Sequence, residues 1–182
     1  FPISNLSNSG IDRIQIYVKE KPRTLVSHIG TGRHYNINSK SGRLQILFTD
    51  SDQRNNIYNT DIASYSENME CIEEMHHPYV VITPDYMVYT ADFSKLIEQH
   101  IQSEADITLL YHAVDNAKDA YLNCNILNLN KQKGVLSIEP NHGNAKNRNI
   151  FMDTYIMKKD LFIELIRKAK AISSAFTLTD II

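Results

Sequence analysis

Glycine is scarce in this chain, with 6 in 182 residues, well under the ~7% of ordinary soluble proteins. That scarcity nearly excludes a Gly-rich phosphate loop within these residues, because such loops need glycine wherever backbone closely approaches a ligand. Tryptophan is absent, and cysteine is limited to Cys71 and Cys124. Two cysteines cannot build a disulfide framework or a Cys-based zinc site, and they point to a reducing cytoplasm. Neither sign of charge is in excess: 19 Lys and Arg face 21 Asp and Glu, a net charge of -2. That balance argues against nucleic acid or an anionic membrane as a partner. No apolar run approaches the ~18 residues of a membrane span. The start carries no basic segment followed by an apolar one, so it does not read as a signal peptide.

Apolar content is ordinary at 42%, and asparagine is abundant at 17 residues. Asparagine side chains compete with the backbone for hydrogen bonds, which favours turns and caps. A chain of this length makes one domain with one core, burying roughly 70% of its unfolded surface. Residues 1–182 are read as a single partial domain. Phe1-Pro2-Ile3 lacks an initiator Met, and Asp180-Ile181-Ile182 ends on apolar residues, so both ends read as internal to a longer polypeptide.

Strands and helices alternate along the sequence. Pro2 to Asn8 reads as a short helix stopped at Gly10. Arg13 to Val18 alternates like a strand. Pro22 opens a helix closed by Gly30, and Arg43 to Phe48 is the next strand. Asp61 to Met75 carries Ile62, Tyr65, Met69 and Ile72 at near-helical spacing. Tyr79 to Thr83 is an apolar run of the kind a buried strand has. Asp92 reads as the N-cap of a helix from Phe93 to Gln102, with Leu96, Ile97 and Ile101 as its buried stripe. Asp106 to Tyr111 is a strand, and Leu122–Leu129 with Gly134–Ile138 form a hairpin. Ile150 to Met157 is a strand before a helix over Leu161–Ala171. The pattern predicts an α/β domain with a mainly parallel sheet and one hairpin.

Few side chains offer chemistry. Gly30-Thr31-Gly32 follows a helix rather than a strand, the wrong context for a dinucleotide loop, and reads as a C-cap and turn. His76 and His77 are adjacent, so their rings diverge on a helix and read as a surface pair rather than metal ligands. His28, His34, His100, His112 and His142 lie on separate elements. Asp85 follows a strand by two residues, where ligands of α/β sheets sit. It could hold a Mg²⁺ that neutralises phosphate oxygens, or be a turn residue after Pro84. Glu139 ends a strand and could bond a ligand hydroxyl or be a solvated edge charge.

Taken together, several segments resemble the sugar-nucleotide pyrophosphorylases, specifically the ADP-glucose pyrophosphorylase branch. Phe1 to Ile11 resembles that family's F-P-L-S-N-x-x-N-S-G-I. Leu25 to Gly32 resembles its L-x-x-H-I-G-S-G. Tyr79 to Phe93 resembles its Y-V-V-I-L-S-G-D-H-x-Y-x-M-D-Y, Ser137 to Pro140 its V-E-K-P, and Thr179 to Ile182 the end of its nucleotidyltransferase domain. The resemblance implies a Rossmann-like nucleotide-diphospho-sugar transferase fold, a mixed, mostly parallel sheet between helices, truncated at its N-terminal strand. It implies a left-handed β-helix domain beyond this chain. It implies Mg²⁺ as cofactor, with Asp85 as metal ligand and Glu139 at the sugar phosphate. The family joins ATP to glucose 1-phosphate and releases pyrophosphate.

The departures from the family pattern are local. Its E-K-P lysine is missing, because Pro140 follows Glu139 directly. Its G-T-A-D-A-x-Y-Q-N becomes Asn59 to Glu67, its F-G-V-M becomes Tyr121 to Cys124, and its A-S-M-G-I-Y becomes Ile150 to Tyr155. Asn59, Asn123 and Asp153 stand where the pattern keeps glycine. Its D-F-G-K-D becomes Phe176 to Asp180. Such losses cut against nucleotidyl transfer, which relies on positioning and charge neutralisation. The combination resembles a GlgD-type regulatory subunit. That implies a cytoplasmic hetero-oligomer with the catalytic subunit of ADP-glucose pyrophosphorylase in bacterial glycogen synthesis, with ATP, glucose 1-phosphate or a sugar-phosphate effector as its small ligands. An active enzyme and a pure interaction module are the alternatives. Without its first strand the sheet would also leave an edge open to self-association.

Overall fold

The computed structural model describes residues 1–19, 22–30, 35, 37, 43–49, 58–173 and 175–182. Thr31, Gly32 and His34 lie outside the described residues. The elements run α1 (Pro2–Asn8), β1 (Arg13–Val18), α2 (Pro22–Ile29), β2 (Arg43–Phe48), α3 (Asp61–Glu67), α4 (Met69–Glu73), β3 (Tyr79–Ile82), α5 (Phe93–Ser103), β4 (Ile107–Val114), β5 (Asn125–Leu129), β6 (Val135–Pro140), β7 (Arg148–Lys158), α6 (Lys159–Ile172) and α7 (Leu178–Ile181).

Punctuation residues explain most boundaries. Pro2 starts α1, where its missing N–H costs nothing, and Gly10 follows at φ 78. The predicted helix over Asp61–Met75 is two helices, because Asn68 leaves helical geometry at φ -107 and ψ 25. Its side chain donates to the Ser64 carbonyl at 3.0 Å, an alternative to helix hydrogen bonding that asparagine readily takes. On α5 the buried stripe is displaced by one residue. Ile101 is 47% exposed and His100 only 2%. The His100 ring contacts Thr108 Oγ1 at 2.7 Å and meets Tyr79 edge-on, so its polar atoms are satisfied under cover.

β1 and β2 pair in parallel, Arg13 with Arg43 through Val18 with Phe48. β3, β4 and β5 all run antiparallel to β7, and β6 closes the hairpin with β5. β3, β4 and β5 therefore share one direction, with β7 laid against them. The expected α/β architecture is present, but the ladders among the described residues fall in two sheets, β1 with β2 parallel and the five-stranded sheet antiparallel throughout, rather than in one mixed sheet. The reason lies in the connections, since β7 is reached through a polar loop rather than a crossover helix and returns against its neighbours.

The main core joins α3, α4 and α6 to the sheet through Ile62, Ile72, Leu127, Phe151, Tyr155, Met157, Phe162 and Ile166. Tyr65 stands edge-on to both Tyr17 and Phe162. A second cluster of Leu6, Ile14 and Phe93 ties α1 and β1 to α5. Among the described residues no helix is long and apolar enough to cross a membrane.

Candidate functional site

The sheet has a notch. β4 follows one edge of β7 from Ile107 opposite Met157 to Val114 opposite Arg148. On the other edge β3 stops at Ile82 opposite Tyr155, and β5 joins at Ile126 opposite Ile150. The stretch between them, Phe151 to Thr154, has no ladder partner on that side among the described residues. β7 also bulges there: Leu109 pairs with Tyr155, but Tyr111 pairs with Phe151. Bulges re-aim side chains beside functional sites. Here the bulge carries Asp153, which sits in the left-handed region at φ 47.

Around Asp153 the side chains close on one another. The Tyr86 hydroxyl donates to Asp153 Oδ2 at 2.7 Å. The Tyr155 hydroxyl donates to Asp153 Oδ1 at 2.7 Å and lies 2.8 Å from Thr179 Oγ1. Burial pushes the Tyr86 and Tyr155 phenols up from their ordinary value, with Asp153 adding to the shift in both. Tyr89 spans from Thr83 Oγ1, 2.9 Å away, to the buried Thr154 hydroxyl. α1 reaches the same loop, where Asn5 Nδ2 donates to the Tyr89 carbonyl at 2.9 Å.

Asp61, at the start of α3, forms the far wall. Its carboxylate accepts from the backbone N–H of Leu178, 3.1 Å from each oxygen, and from that of Ile62 at 2.8 Å. Burial holds its carboxyl above the usual carboxylate range, and those hydrogen bonds and Lys19 work against the rise. Lys19 Nζ itself donates to the Asn59 carbonyl at 2.8 Å. α7 presents Thr179 to Tyr155 because a capping box between Thr177 and Asp180 nucleates it.

The loop over Asn116–Asn123 is pinned by Asn141. That side chain is 1% exposed, and its amide donates to the carbonyls of Ala117, Ala120 and Tyr121 at 2.8, 3.3 and 3.0 Å. Its Oδ1 accepts from Gly143 N at 3.1 Å. Gly143 is obligatory there: at φ 72, a Cβ would meet the Lys118 carbonyl oxygen at 2.9 Å. Pinned in this way, Asn123 holds φ 65 and Tyr121 φ 57.

Asp85 lies in the exposed turn after β3, and Glu139 on the exposed face of β6, its Cα opposite Ile126. No hydrogen bond or ion pair joins them among the described residues. His76 and His77 are both exposed just past α4. Among the described residues no three His, Cys, Asp or Glu side chains are placed to hold a metal ion. A Mg²⁺ is held by one or two carboxylates together with substrate phosphates. Asp85 offers one carboxylate, while Asp153 and Asp61 already engage their oxygens with phenols and amides. Asp85 is therefore the one of the three whose carboxylate would hold the Mg²⁺ that the resemblance implies, with substrate phosphates completing the set.

The family model described as nucleotidyl transferase matches residues 1–178. The chain belongs to this family. The glucose-1-phosphate adenylyltransferase of Clostridium perfringens (strain SM101 / Type A) is 30% identical over 157 residues, covering 86% of this chain and 40% of that protein. The protein of the same name from Clostridioides difficile (strain 630) is 27% identical, again over 86% of this chain and 40% of its own length. This nucleotidyl transferase chain thus spans about two fifths of the length of those curated relatives. The crystal structure of HddC from Yersinia pseudotuberculosis superposes with a TM-score of 0.69 at 14% identity, covering 97% of this chain and 67% of that one. At that identity the likeness shows the fold, the Rossmann-like α/β architecture of nucleotidyltransferases.

Asp153 carries glycine-like backbone at a glycine place of the family pattern, and Asn123 does so one residue past the glycine of F-G-V-M, which falls on Leu122. Asn123 and Asp153 both lie at positive φ, a conformation that costs an L side chain about 1 kcal/mol and that Asn and Asp tolerate best. Nothing local in the sequence marks Tyr86, Tyr155, Asp61 or Asn141 as site residues. Only Asp153 had a local signal, a charge inside an apolar strand.

Proposed function

We propose that this chain is the nucleotidyltransferase part of a GlgD-type subunit of glucose-1-phosphate adenylyltransferase. In this reading it has little turnover of its own and works with a catalytic subunit in glycogen synthesis in the cytoplasm. The observation that carries the reading is Asp153. In the family pattern its place belongs to glycine, and here a carboxylate occupies the notch, held by Tyr86 and Tyr155. A carboxylate there repels a sugar phosphate rather than receiving it, and the two phenols fill the space beside it. The count of residues agrees. With Tyr79–Phe93 laid without a gap on Y-V-V-I-L-S-G-D-H-x-Y-x-M-D-Y, Tyr86 stands where the pattern has its first aspartate. The lysine of E-K-P is missing as well, which removes a cation from the sugar phosphate.

The test is ADP-glucose formation from ATP and glucose 1-phosphate by the full-length subunit, alone and with its catalytic partner. The reading expects negligible turnover alone and altered kinetics of the partner when mixed. Robust turnover by the subunit alone sinks it. An active enzyme is the second reading, favoured by Asp85, which is exposed at the end of β3 with no hydrogen-bond partner among the described residues. It requires Asp85→Asn to abolish that turnover.

A further inference from the structure

Two loops beside the notch carry exposed apolar side chains. The turn after β3, residues 84–88, presents Tyr86 and Val88, and the loop over Asn116–Asn123 presents Tyr121 and Leu122. Val88 is 69% exposed and Leu122 53%. The two loops adjoin. The Cys124 thiol, one residue past Asn123, lies close enough to Tyr86 to help raise its phenol, and Cys124 N donates to the Tyr121 carbonyl at 3.2 Å. Single exposed apolar residues are ordinary, but several on adjoining loops mark an interaction surface.

Neither loop is free to fold these side chains away. Tyr89 fixes the end of the turn through Thr83 and Thr154, Asn5 holds the Tyr89 carbonyl, and Tyr86 is tied to Asp153. In the other loop Asn141 clamps Ala117, Ala120 and Tyr121. Leu122 rests on Gly143, its Cδ2 3.1 Å from where a Cβ would stand. A surface ordered before contact loses little entropy on docking. The surface is also acidic. Within 84–88 and 116–123 Lys118 is the only cation, against Asp85 and Asp119, and Asp153 lies beside them. None of the ion pairs among the described residues involves these four side chains.

We propose that this rim docks a different protein chain, one that lays apolar side chains on Val88 and Leu122 and sets lysine or arginine opposite Asp85 and Asp153. Tyrosine and apolar side chains ringed by polar ones are the make-up of protein interfaces. Charge decides against a second copy of this chain as the occupant, because a twofold contact brings the same acids face to face. A basic partner instead gains from the unpaired acids, in rate of encounter as well as in register. The inference rests on the reading of this chain as a subunit that works with a catalytic one, and it names the face on which the two meet.

Analytical ultracentrifugation of the full-length protein mixed with its catalytic partner tests this. A complex is expected, with a dissociation constant that rises about fivefold or more in Val88→Ser and in Leu122→Ser. Ile172→Ser, at a comparably exposed position ending α6, is expected to leave it unchanged. Both rim variants alter exposed side chains, so each should melt like the parent. Raising NaCl from about 0.05 to about 0.5 M should weaken the complex by screening its charges. A complex indifferent to Val88→Ser and Leu122→Ser overturns this proposal and leaves the subunit reading standing. A complex that salt does not weaken overturns the charge pairing on which the choice of partner rests. Self-association of the parent that Leu122→Ser abolishes assigns the rim to a second copy and overturns the proposal as well. Absence of any complex overturns both the proposal and the subunit reading.

Discussion

The Tyr86 phenol donates a 2.7 Å hydrogen bond to Asp153, a contact between residues 67 positions apart that bridges the notch in the sheet. Burial raises the phenol's pKa first, and the carboxylate raises it further by accepting that hydrogen bond and by repelling a phenolate. Asp153→Asn removes the charge that repels a phenolate, keeps an amide oxygen to accept the hydrogen bond, and leaves burial untouched. Tyr86 ionisation is therefore expected to move down, toward the ordinary 10.0, in an alkaline absorbance titration. An unmoved Tyr86 transition would show that the two groups do not meet. Tyr86→Phe is expected to cost no more than about 0.5 kcal/mol, since the residue is 66% exposed and solvent screens the interaction.

Asp61 is shifted in the same direction. Its carboxyl is raised by burial, so the folded state binds its proton more tightly than the unfolded chain does. Its contribution to stability is greatest below the ordinary value of 3.8 and is lost as pH rises through the raised folded value. Asp61→Asn keeps the Oδ1 acceptor for Leu178 and Ile62 and deletes the titration. Urea melts across pH should show that variant losing less stability between pH 4 and 7 than the parent. Asp61→Ala instead strands the Leu178 and Ile62 amides and should cost about 1–2 kcal/mol.

Much of the fold is legible in the sequence because its signals are local. Alternation places β1 and β2 at the bounds found, and Pro2, Pro22 and Asp92 open their helices. Errors arise where a side chain overrides a periodic pattern. The run Ile62, Tyr65, Met69 and Ile72 continues across a break that only the Asn68 amide explains. His100 displaces Ile101 from the core because its polar partners, Thr108 and Tyr79, come from other strands. α7 escapes a hydrophobic reading, although Thr177 and Asp180 have the spacing of a capping box. The site is less legible than the fold. Asp153 with Tyr86, Asp61 with Leu178, and Asn141 with Ala117 are pairings between distant segments, and no spacing rule announces them. One glycine place taken from the family resemblance, Asp153, does locate a left-handed residue, because backbone shape outlasts the glycine that first required it.

His100 gives the fold a mild acid sensitivity. Burial, and then the nearby Lys158 charge, hold its pKa below the ordinary 6.5, and Thr108 and Tyr79 also face it. The unfolded chain therefore binds the proton more readily than the folded one. Stability is full above pH 6.5 and declines as pH falls below it toward the depressed folded value. His100→Gln should flatten that decline in thermal melts between pH 7 and 5, while lowering stability at pH 7 through lost packing. A decline of unchanged slope in the variant would assign the acid sensitivity to another group.

Asn141 is the residue whose loss should be felt most widely. It is 1% exposed, and its amide serves the carbonyls of Ala117, Ala120 and Tyr121 while its oxygen serves Gly143 N. Its backbone also pairs with Cys124 and Asn123. Asn141→Ala leaves those backbone groups without side-chain partners in a site closed to water, a cost of about 2–4 kcal/mol. Asn141→Asp keeps the acceptor for Gly143 but turns a donor toward three carbonyls into a charge facing them, and should cost at least as much. Both variants should lower the urea midpoint and speed amide exchange across 116–123, with α6 and its contacts in the main core unaffected. A variant that melts like the parent would show that the loop holds its left-handed residues without this clamp.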